Sequence, residues 1–589
     1  MGSNGDLDAH SQCLSSTGDL VLDKAVHQWM AWDKNPQTWK QMESLVREGR
    51  VVELRRRLCS RMTFGTAGLR AEMGAGFACI NDLTVIQGFF SPLCRLARLT
   101  AAVMLCKDVP VYLFSTYVPT PFVPYAVMKY GAAAGVMITA SHNRKEDNGY
   151  KVYWHNGAQI SSPHDKEILR CIEESSEPWP ESWNEDLVES SLLRRDPLED
   201  VCCSYMEELN TICFHRCSLN TMSPLKFVHS SFHGVGHNYV QRAFQQFGFP
   251  PPIPVPEQKD PDPDFSTVSC PNPEEGESVL ELSLRLAERE EARIVVATDP
   301  DADRLAVAEQ NDNCGWKVFT GNELAALLGW WMLFNWKEAH PDPADTERVC
   351  MLATTVSSKI LKAFARIEGF HFEETLPGFK WIGNRIHELT KTGKEVIFSF
   401  EESIGFLCGN MVLDKDGVST AAVVAEMAAY LHTKNLSMNQ QLINVYEIYG
   451  YHISRTSYVI CNDPPTIHRI FSRLRNSGGS GVYPESCGDY CITHIRDVTT
   501  GYDSSQPDKK CVLPLSRNSQ MVTFTFQNGI VATLRTSGTE PKIKYYTEFC
   551  AAPGERDISS LEEELRKVTA ALVEEFLEPD KNSLLHRSV

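Results

Sequence analysis

The sequence predicts an α/β fold closed by a C-terminal α+β domain, and three observations carry that expectation. Apolar strand-like runs recur along the chain, each followed by a small-residue or polar loop and then a helical pattern, the rhythm of α/β domains. From Gln520 onward the character changes to β-rich runs, an Asn528-Gly529 hairpin signal and one amphipathic helix. The chain has 589 residues, 42% apolar and 23% charged, a soluble globular balance with length for roughly three or four domains.

The strand-like runs are VPVYLF (109–114), GVMITA (135–140), KFVHSSFHGVG (226–236), RIVVATDPDADR (293–304), VCMLATTV (349–356) and EVIFSFEES (395–403). Open α/β sheets hold ligands at the carboxyl ends of their strands, so function is expected where these runs end. Leu324 to Phe334, the longest apolar run, is too short to cross a bilayer and predicts a buried helix. Ile360, Leu361, Phe364 and Ile367 recur at helical spacing, with Gly369 as the stop. Pro-rich acidic stretches at 251–266 and 339–347 mark loops or boundaries. The terminal helix carries Ile558, Leu561, Leu565, Val568, Leu572 and Phe576 on one stripe, with Ser560 and Glu563 as its expected capping box. These signals divide the chain into an extension with leading helices (1–60) and domains at 61–215, 216–340, 341–455 and 456–589.

A formal charge of −19 opposes broad adhesion to nucleic acid or anionic membrane, so neither is an expected partner and any phosphate site must be local. Nineteen scattered cysteines do not make a disulfide scaffold in a chain this long. Cys202-Cys203, Cys213-Phe-His215-Arg-Cys217 and Cys487-x3-Cys491 repeat no zinc-finger spacing and read as ordinary core residues. MGSNGDLDAHSQ lacks a basic and apolar leader, and reduced thiols in the cytosol are expected.

Four segments could carry chemistry. In TASHNRKEDNGYK (139–151), Ser141 follows a strand and has His142 beside it and Lys151 ten residues on; it is a nucleophile or phosphate carrier, or else a capping turn. In ATDPDADR (297–304), Asp299, Asp301 and Asp303 alternate before Arg304, a costly arrangement unless a cation with hard oxygen preference sits among them. FEESIG (400–405) offers Glu401 and Ser403 to sugar hydroxyls. RTSGTEPKIK (535–544) combines Arg535, Ser537, Gly538 and Thr539, enough to hold a phosphate without a basic surface, though a plain Ser-Gly turn fits equally.

TASHN, DPDADR, FEES and RTSGTEPK, in that order, resemble the α-D-phosphohexomutase superfamily, from about Thr63 to the end of the chain. The resemblance implies three phosphohexomutase-type α/β domains plus the C-terminal α+β domain around a central cleft. It makes Ser141 the phosphoserine, assisted by His142 and Lys151, with Arg70 of FGTAGLR facing the same phosphate. Asp299, Asp301 and Asp303 would complete a Mg²⁺ site with an oxygen on Ser141, and Arg304 would lie close by. Gly378 and Lys380 of LPGFKW, with Glu401 and Ser403, would contact the sugar. Arg535, Ser537, Gly538 and Thr539 would clamp the phosphate that is not reacting.

More narrowly, RMTFGTAGLRA, LPGFKWIG, VLDKDGVS and DVTTGYDSSQPDKK are similar to a vertebrate branch of phosphopentomutases and hexose bisphosphate synthases, and Ser403, ESIGFLCG and HRSV incline toward the synthases. The synthase version takes a phosphoryl group from 1,3-bisphosphoglycerate onto Ser141 and passes it to glucose 1-phosphate or a related hexose phosphate. A phosphopentomutase or phosphoglucomutase uses the same parts but keeps and reorients the bisphosphate. The chain would act as a monomer on sugar phosphates. One departure from the family is expected to matter: Gln87 runs through GFFSPLCR into LARLTAAVML, so the first domain is truncated by about one strand and part of its flanking helices. That gap motivates a non-catalytic sugar-phosphate binding protein as an alternative. A dehalogenase-like phosphatase, with Asp299 as nucleophile, is another, but it leaves TASHN without a role.

Overall fold

The computed structural model describes residues 17–586 except 63–67, 85–92, 176, 314, 517–518, 538–540 and 556. The chain divides into two compact units, Met1–Leu305 with Met411–Ala422 and Ala306–Asn410 with Val423–Val589.

The first unit opens with helices Leu20–Trp32, Pro36–Arg47 and Val51–Leu58. Asp19 and Asn35 cap the first two by accepting from backbone amides of their opening turns. Leu22, Val26, Trp29, Met42 and Leu54 are buried together against Phe77 and Leu83, so the leading helices form a layer on the first domain. That domain holds β1 (Leu69–Glu72), β2 (Val111–Tyr112), β3 (Ala134–Ile138), β4 (Asp147–Trp154) and β5 (Arg194–Arg195). β4 lies between β1 and β3 in an antiparallel sheet, with Leu69 opposite Tyr150 and Val136 opposite Val152. Alternation sorts its side chains: Val136, Ile138, Tyr150 and Val152 pack with Leu96, Leu99 and Val103 of helix Leu93–Leu105, whereas Met137 and Tyr153 meet Val123 and Val127 of helix Phe122–Tyr130.

The run at 109–114 yields only the two residues of β2, which pairs in parallel with β5; among the described residues β3 is an edge strand. A short first sheet is what the departure at Gln87 predicts, although 85–92 lie outside the described residues. In the second domain β6 (Phe227–Ser230) runs parallel to both β7 (Ile253–Pro254) and β8 (Ile294–Thr298). All five residues of β8 are buried, and it ends at the aspartate-rich loop. The turn after β6 lies flat on that loop: a Cβ at Gly234 would come within 2.1 Å of the Pro300 Cα, so only glycine fits.

β9 (Leu305–Gln310), in the second unit from Ala306 onward, and β10 (Trp316–Val318) form a hairpin. The expected buried helix runs over Gly321–Ala339, opened by a Thr320/Glu323 capping box and burying Leu324, Leu327, Leu328 and Trp331. Among the described residues no helix is long and apolar enough to cross a membrane. β11 (Val349–Thr354) runs parallel to β12 (His371–Thr375) and β13 (Glu395–Glu401), and β14 (Gly405–Cys408) closes the sheet antiparallel to β13. Helix Ile360–Glu368 stops at left-handed Gly369, as its spacing predicts.

The C-terminal domain is an antiparallel sheet of β15 (His452–Ile460), β16 (Ser486–Cys487), β17 (Tyr490–Asp497), β18 (Tyr502–Asp503), β19 (Met521–Phe526), β20 (Ile530–Thr536), β21 (Lys542–Cys550) and β22 (Leu585–His586). The order is β16-β17-β19-β20-β21-β15-β22, with β18 on β17. β19 and β20 are the Asn528-Gly529 hairpin. Phe524, Leu534 and Ile543 pack with Leu561, Leu565, Val568 and Phe576, so the α+β expectation holds. The capping box does not. The helix starts at Ile558 with Asp557 as its cap, accepting from the Ser560 amide, so Ser560 already lies inside the first turn and cannot serve as the cap. The cysteine groupings also split: Cys202 and Cys487 are buried, but Cys203, Cys217 and Cys491 are exposed, and the described cysteines are free thiols.

Candidate active site

β3 ends at Ile138, and the next turn places Ser141 in a left-handed conformation, φ 55°, with its amide donating to Thr139 Oγ1 at 2.8 Å. A serine held this way is strained, and at the end of a strand that strain points to function. Ser141 Oγ donates to Asp299 Oδ2 at 2.7 Å and lies 3.2 Å from His142 Nδ1.

The aspartate loop curls as a bound cation would need. Left-handed Ala302, φ 56°, donates its amide to the Asp299 carbonyl at 2.9 Å, turning Asp299, Asp301 and Asp303 to one side. Their carboxylate oxygens lie within 4.8 Å of one another, and Oδ1 of both Asp301 and Asp303 is buried without a hydrogen-bond partner. Buried carboxylate oxygens left unpaired are costly, and a hard divalent cation would satisfy them. The trio therefore fits a magnesium-type ion.

Cations surround the loop. Lys151, on β4 and buried, places Nζ 2.7 Å from Asp301 Oδ2 and 2.6 Å from Asp303 Oδ2. Thr120 donates Oγ1 to Asp301 Oδ2 at 2.8 Å and its amide to the Asp301 carbonyl at 2.9 Å. Lys415 Nζ stands 3.3 Å from Asp303 Oδ2. Arg304 donates its amide to Asp299 Oδ1 at 3.0 Å, and its guanidinium lies 3.8 Å from Asp303 Oδ1.

Burial, then the charges of Asp301 and Asp303, push Asp299 well above the usual aspartate range. Burial acts in the same sense on Asp301, but Lys151 and the bonds it receives win and hold it low. Asp303 is likewise lowered: burial and Asp301 oppose ionisation, and Lys151, Lys415 and Arg304 outweigh them. Burial, reinforced by Arg304 and Arg70, keeps His142 well below the ordinary histidine value and so neutral. Arg70, on β1 opposite Gly149, is itself lowered by burial and by Arg304.

Ser141, His142, Lys151, the aspartate trio, Arg304 and Arg70 thus converge in the first unit. In the second unit Gly378, φ 108°, precedes helix Phe379–Lys391, with Lys380 in its first turn. Leu376 before the helix and Trp381 in its first turn pack with Met521 and Tyr546. Glu401 ends β13 and Ser403 follows in the turn. Between them Glu402 is anchored by Ser357, which donates to its Oε2 at 3.1 Å. Burial and then Glu401 raise Glu402, while the charges of Arg535 and Lys544 lower it. Arg535 sits on β20 opposite Lys544, and Ser537 donates its amide to the Lys542 carbonyl at 2.9 Å. Gly538 and Thr539 lie outside the described residues.

Thr120 and Lys415 escaped the sequence reading. Thr120 sits in the Pro-Thr-Pro turn after the 109–114 run, and Lys415 in VLDKDGVS; neither segment shows by itself that it meets the aspartates.

Models of the phosphoglucomutase/phosphomannomutase α/β/α domains I, II and III match residues 94–179, 203–315 and 320–449. Human glucose 1,6-bisphosphate synthase is 66% identical over 623 residues, covering all of both chains. The chain belongs to the phosphoglucomutase/phosphomannomutase family. Human phosphopentomutase is 54% identical over 597 residues, 96% of this chain and 97% of its own. Among solved structures, parafusin, a phosphoglucomutase from Paramecium in its open form, shares the fold with a TM-score of 0.61 at 16% identity, over 87% of this chain and 96% of its own. The 623 aligned positions exceed the 589 residues of this phosphohexomutase by 34, so at least that many face gaps here.

Proposed function

We propose that this phosphohexomutase is a glucose 1,6-bisphosphate synthase using 1,3-bisphosphoglycerate as donor and Mg²⁺ as cofactor, a cytosolic monomer. The observation that carries the reading is Ser141 Oγ at 2.7 Å from Asp299, within the trio that Lys151 braces. The 66% identity over both full chains to the human synthase supports synthesis over other phosphohexomutase reactions.

In the first half-reaction Ser141 Oγ attacks the acyl phosphate phosphorus. The bond to the carboxylate oxygen breaks, 3-phosphoglycerate leaves, and the serine proton passes to His142 Nδ1, which is 3.2 Å away and neutral. In the second, a hydroxyl of glucose 1-phosphate attacks the phosphoserine; the bond to Ser141 Oγ breaks, His142 returns its proton to Oγ, and the hydroxyl's proton is released to solvent. Mg²⁺ held by Asp299, Asp301, Asp303 and an oxygen on Ser141 would draw charge from the moving phosphoryl group. Lys151, Arg304 and Arg70 offset the charge that a phosphoserine near −2 adds to three carboxylates. Gly378, Lys380, Glu401 and Ser403 would orient the sugar, and Arg535, Ser537, Gly538 and Thr539 would hold its resting phosphate.

The same parts serve a phosphopentomutase, and the 54% identity to the human enzyme keeps that second reading in play. Labelled 1,3-bisphosphoglycerate, glucose 1-phosphate and Mg²⁺ separate the two. Synthesis predicts label on Ser141 and net accumulation of bisphosphate, both lost in Ser141→Ala. Isomerisation that depends on added bisphosphate, without accumulation, would establish the mutase. Label on Asp299 would establish a phosphatase, and an unlabelled protein would leave only sugar-phosphate binding.

A further inference from the structure

The chain re-enters the first unit for residues 411–422 alone. Asp414 there is fully buried. Its Oδ2 accepts from Tyr153 Oη at 2.6 Å and Gln159 Nε2 at 2.7 Å, and its Oδ1 accepts the Lys415 amide at 2.8 Å. Lys415 Nζ stands 3.6 Å from Asp414 Oδ1 and 3.3 Å from Asp303 Oδ2. A second buried tyrosine repeats the device two residues on: Tyr205 Oη donates to Asp416 Oδ2 at 2.6 Å, while Asp416 Oδ1 takes the amides of Val418 and Ser419. Immediately after Asp416, Gly417 donates to the Ala302 carbonyl at 3.1 Å, and a Cβ at that position would meet the Arg304 carbonyl at 2.4 Å.

We propose that Asp414, locked by Tyr153 and Gln159, is a positioning residue that aims the Lys415 ammonium at Asp303 as a second cation for phosphoryl transfer; this rests on the synthase reading. Burying a carboxylate is costly, and a segment needing only to be anchored could carry Asn here. The negative charge matters because it places Lys415 between two carboxylates, with the Lys415 amide held by Asp414 Oδ1. Asp303 Oδ2 then receives two ammonium groups, Lys151 at 2.6 Å and Lys415 at 3.3 Å. Both stand ready when Ser141 gains a group carrying about two negative charges. Tyr153 belongs to the arrangement because it lies two residues from Lys151 on β4, so the strand that supplies the first cation also holds the partner of the second.

The test has two arms on the full chain. In the first, an amine-reactive reagent with peptide mapping compares Lys415 with Lys151 in Tyr153→Phe, Asp414→Asn and the milder Gln159→Met. Lys415 labelling is expected to rise several-fold while Lys151 stays fixed; equal labelling of Lys415 in the folded variants and the unaltered protein overturns the bracket. In the second arm, single-turnover phosphorylation of Ser141 by 1,3-bisphosphoglycerate is expected to slow about tenfold in Tyr153→Phe, with KM for glucose 1-phosphate moving less than about twofold. Adding Tyr153→Phe to Lys415→Met should slow it no further, since both act through one ammonium. An unchanged rate in Tyr153→Phe, or losses that multiply, overturns the role in transfer. If the unaltered protein takes no phosphate on Ser141, the synthase reading fails instead, and the labelling arm still decides the bracket.

Discussion

Lys151 is held between two carboxylates in a buried setting, and its removal asks what balances them. Lys151→Met leaves Asp301 and Asp303 without their shortest ion pairs, a change that typically costs roughly 3–5 kcal/mol when one partner of a buried pair is lost. A Mg²⁺ ion held by the same carboxylates would restore part of that loss. Thermal unfolding is therefore expected to show a large drop in midpoint without Mg²⁺ and a smaller one with it; an equal drop in both conditions would mean that the trio does not take the ion. The trio itself was legible because its three carboxylates lie within five residues and follow an apolar strand. Their partners were not. Ser141 is 158 residues from Asp299 and Thr120 is 181 from Asp301, so only the folded backbone brings them together. Lys415 in VLDKDGVS is flanked by two acids and looks locally neutralised, which hides the third carboxylate it reaches.

Among elements, the leading helices carry the clearest pH signature. Burial pushes Asp33 up to about 6 from an ordinary 3.8, against the hydrogen bonds from Asn35 and Thr38. A raised carboxyl favours the fold while protonated: its contribution is complete below about pH 4 and fades as the pH rises through about 6. Unfolding free energy should thus fall between pH 5 and pH 7 by more in the unaltered protein than in Asp33→Asn, by about 1–3 kcal/mol. Parallel pH slopes in the two would refute it. The terminal helix offers a second test, since the structure puts Asp557 where the sequence predicts a Ser560 box. Asp557→Ala is expected to cost about 1 kcal/mol of stability in denaturant melts, and Ser560→Ala a few tenths at most, because the carboxylate and not the hydroxyl meets the free amide. The reverse ranking would reinstate the Ser560 box. Such local competition is what sequence reads poorly: Asn528-Gly529 has one turn to make, whereas Asp557 and Ser560 lie one turn apart and only geometry chooses. β2 was over-read for a related reason. VPVYLF has the composition of a strand, but a strand needs a neighbour, and only two residues find one.

For the molecule as a whole, the residues proposed for phosphoryl transfer fall in one compact unit and those proposed for holding the sugar and its resting phosphate fall in the other. Mutations should therefore separate by kinetic parameter. Arg535 would contribute charge-assisted bonds to a phosphate that stays put in both half-reactions, binding ground and transition states alike. Such bonds are worth about 1.5–3 kcal/mol, so Arg535→Ala is expected to raise KM for glucose 1-phosphate and for the bisphosphate donor by about 10–150-fold. Its kcat at saturation should change by less than about fivefold. Lys151→Met, which touches the charge that develops at Ser141, should do the opposite, lowering kcat by at least about a hundredfold with little change in KM. Steady-state kinetics on both variants decides the matter. If Arg535→Ala instead loses kcat at an unchanged KM, its guanidinium acts on the group in flight, and the allotment of reacting and resting phosphates between the two units is wrong.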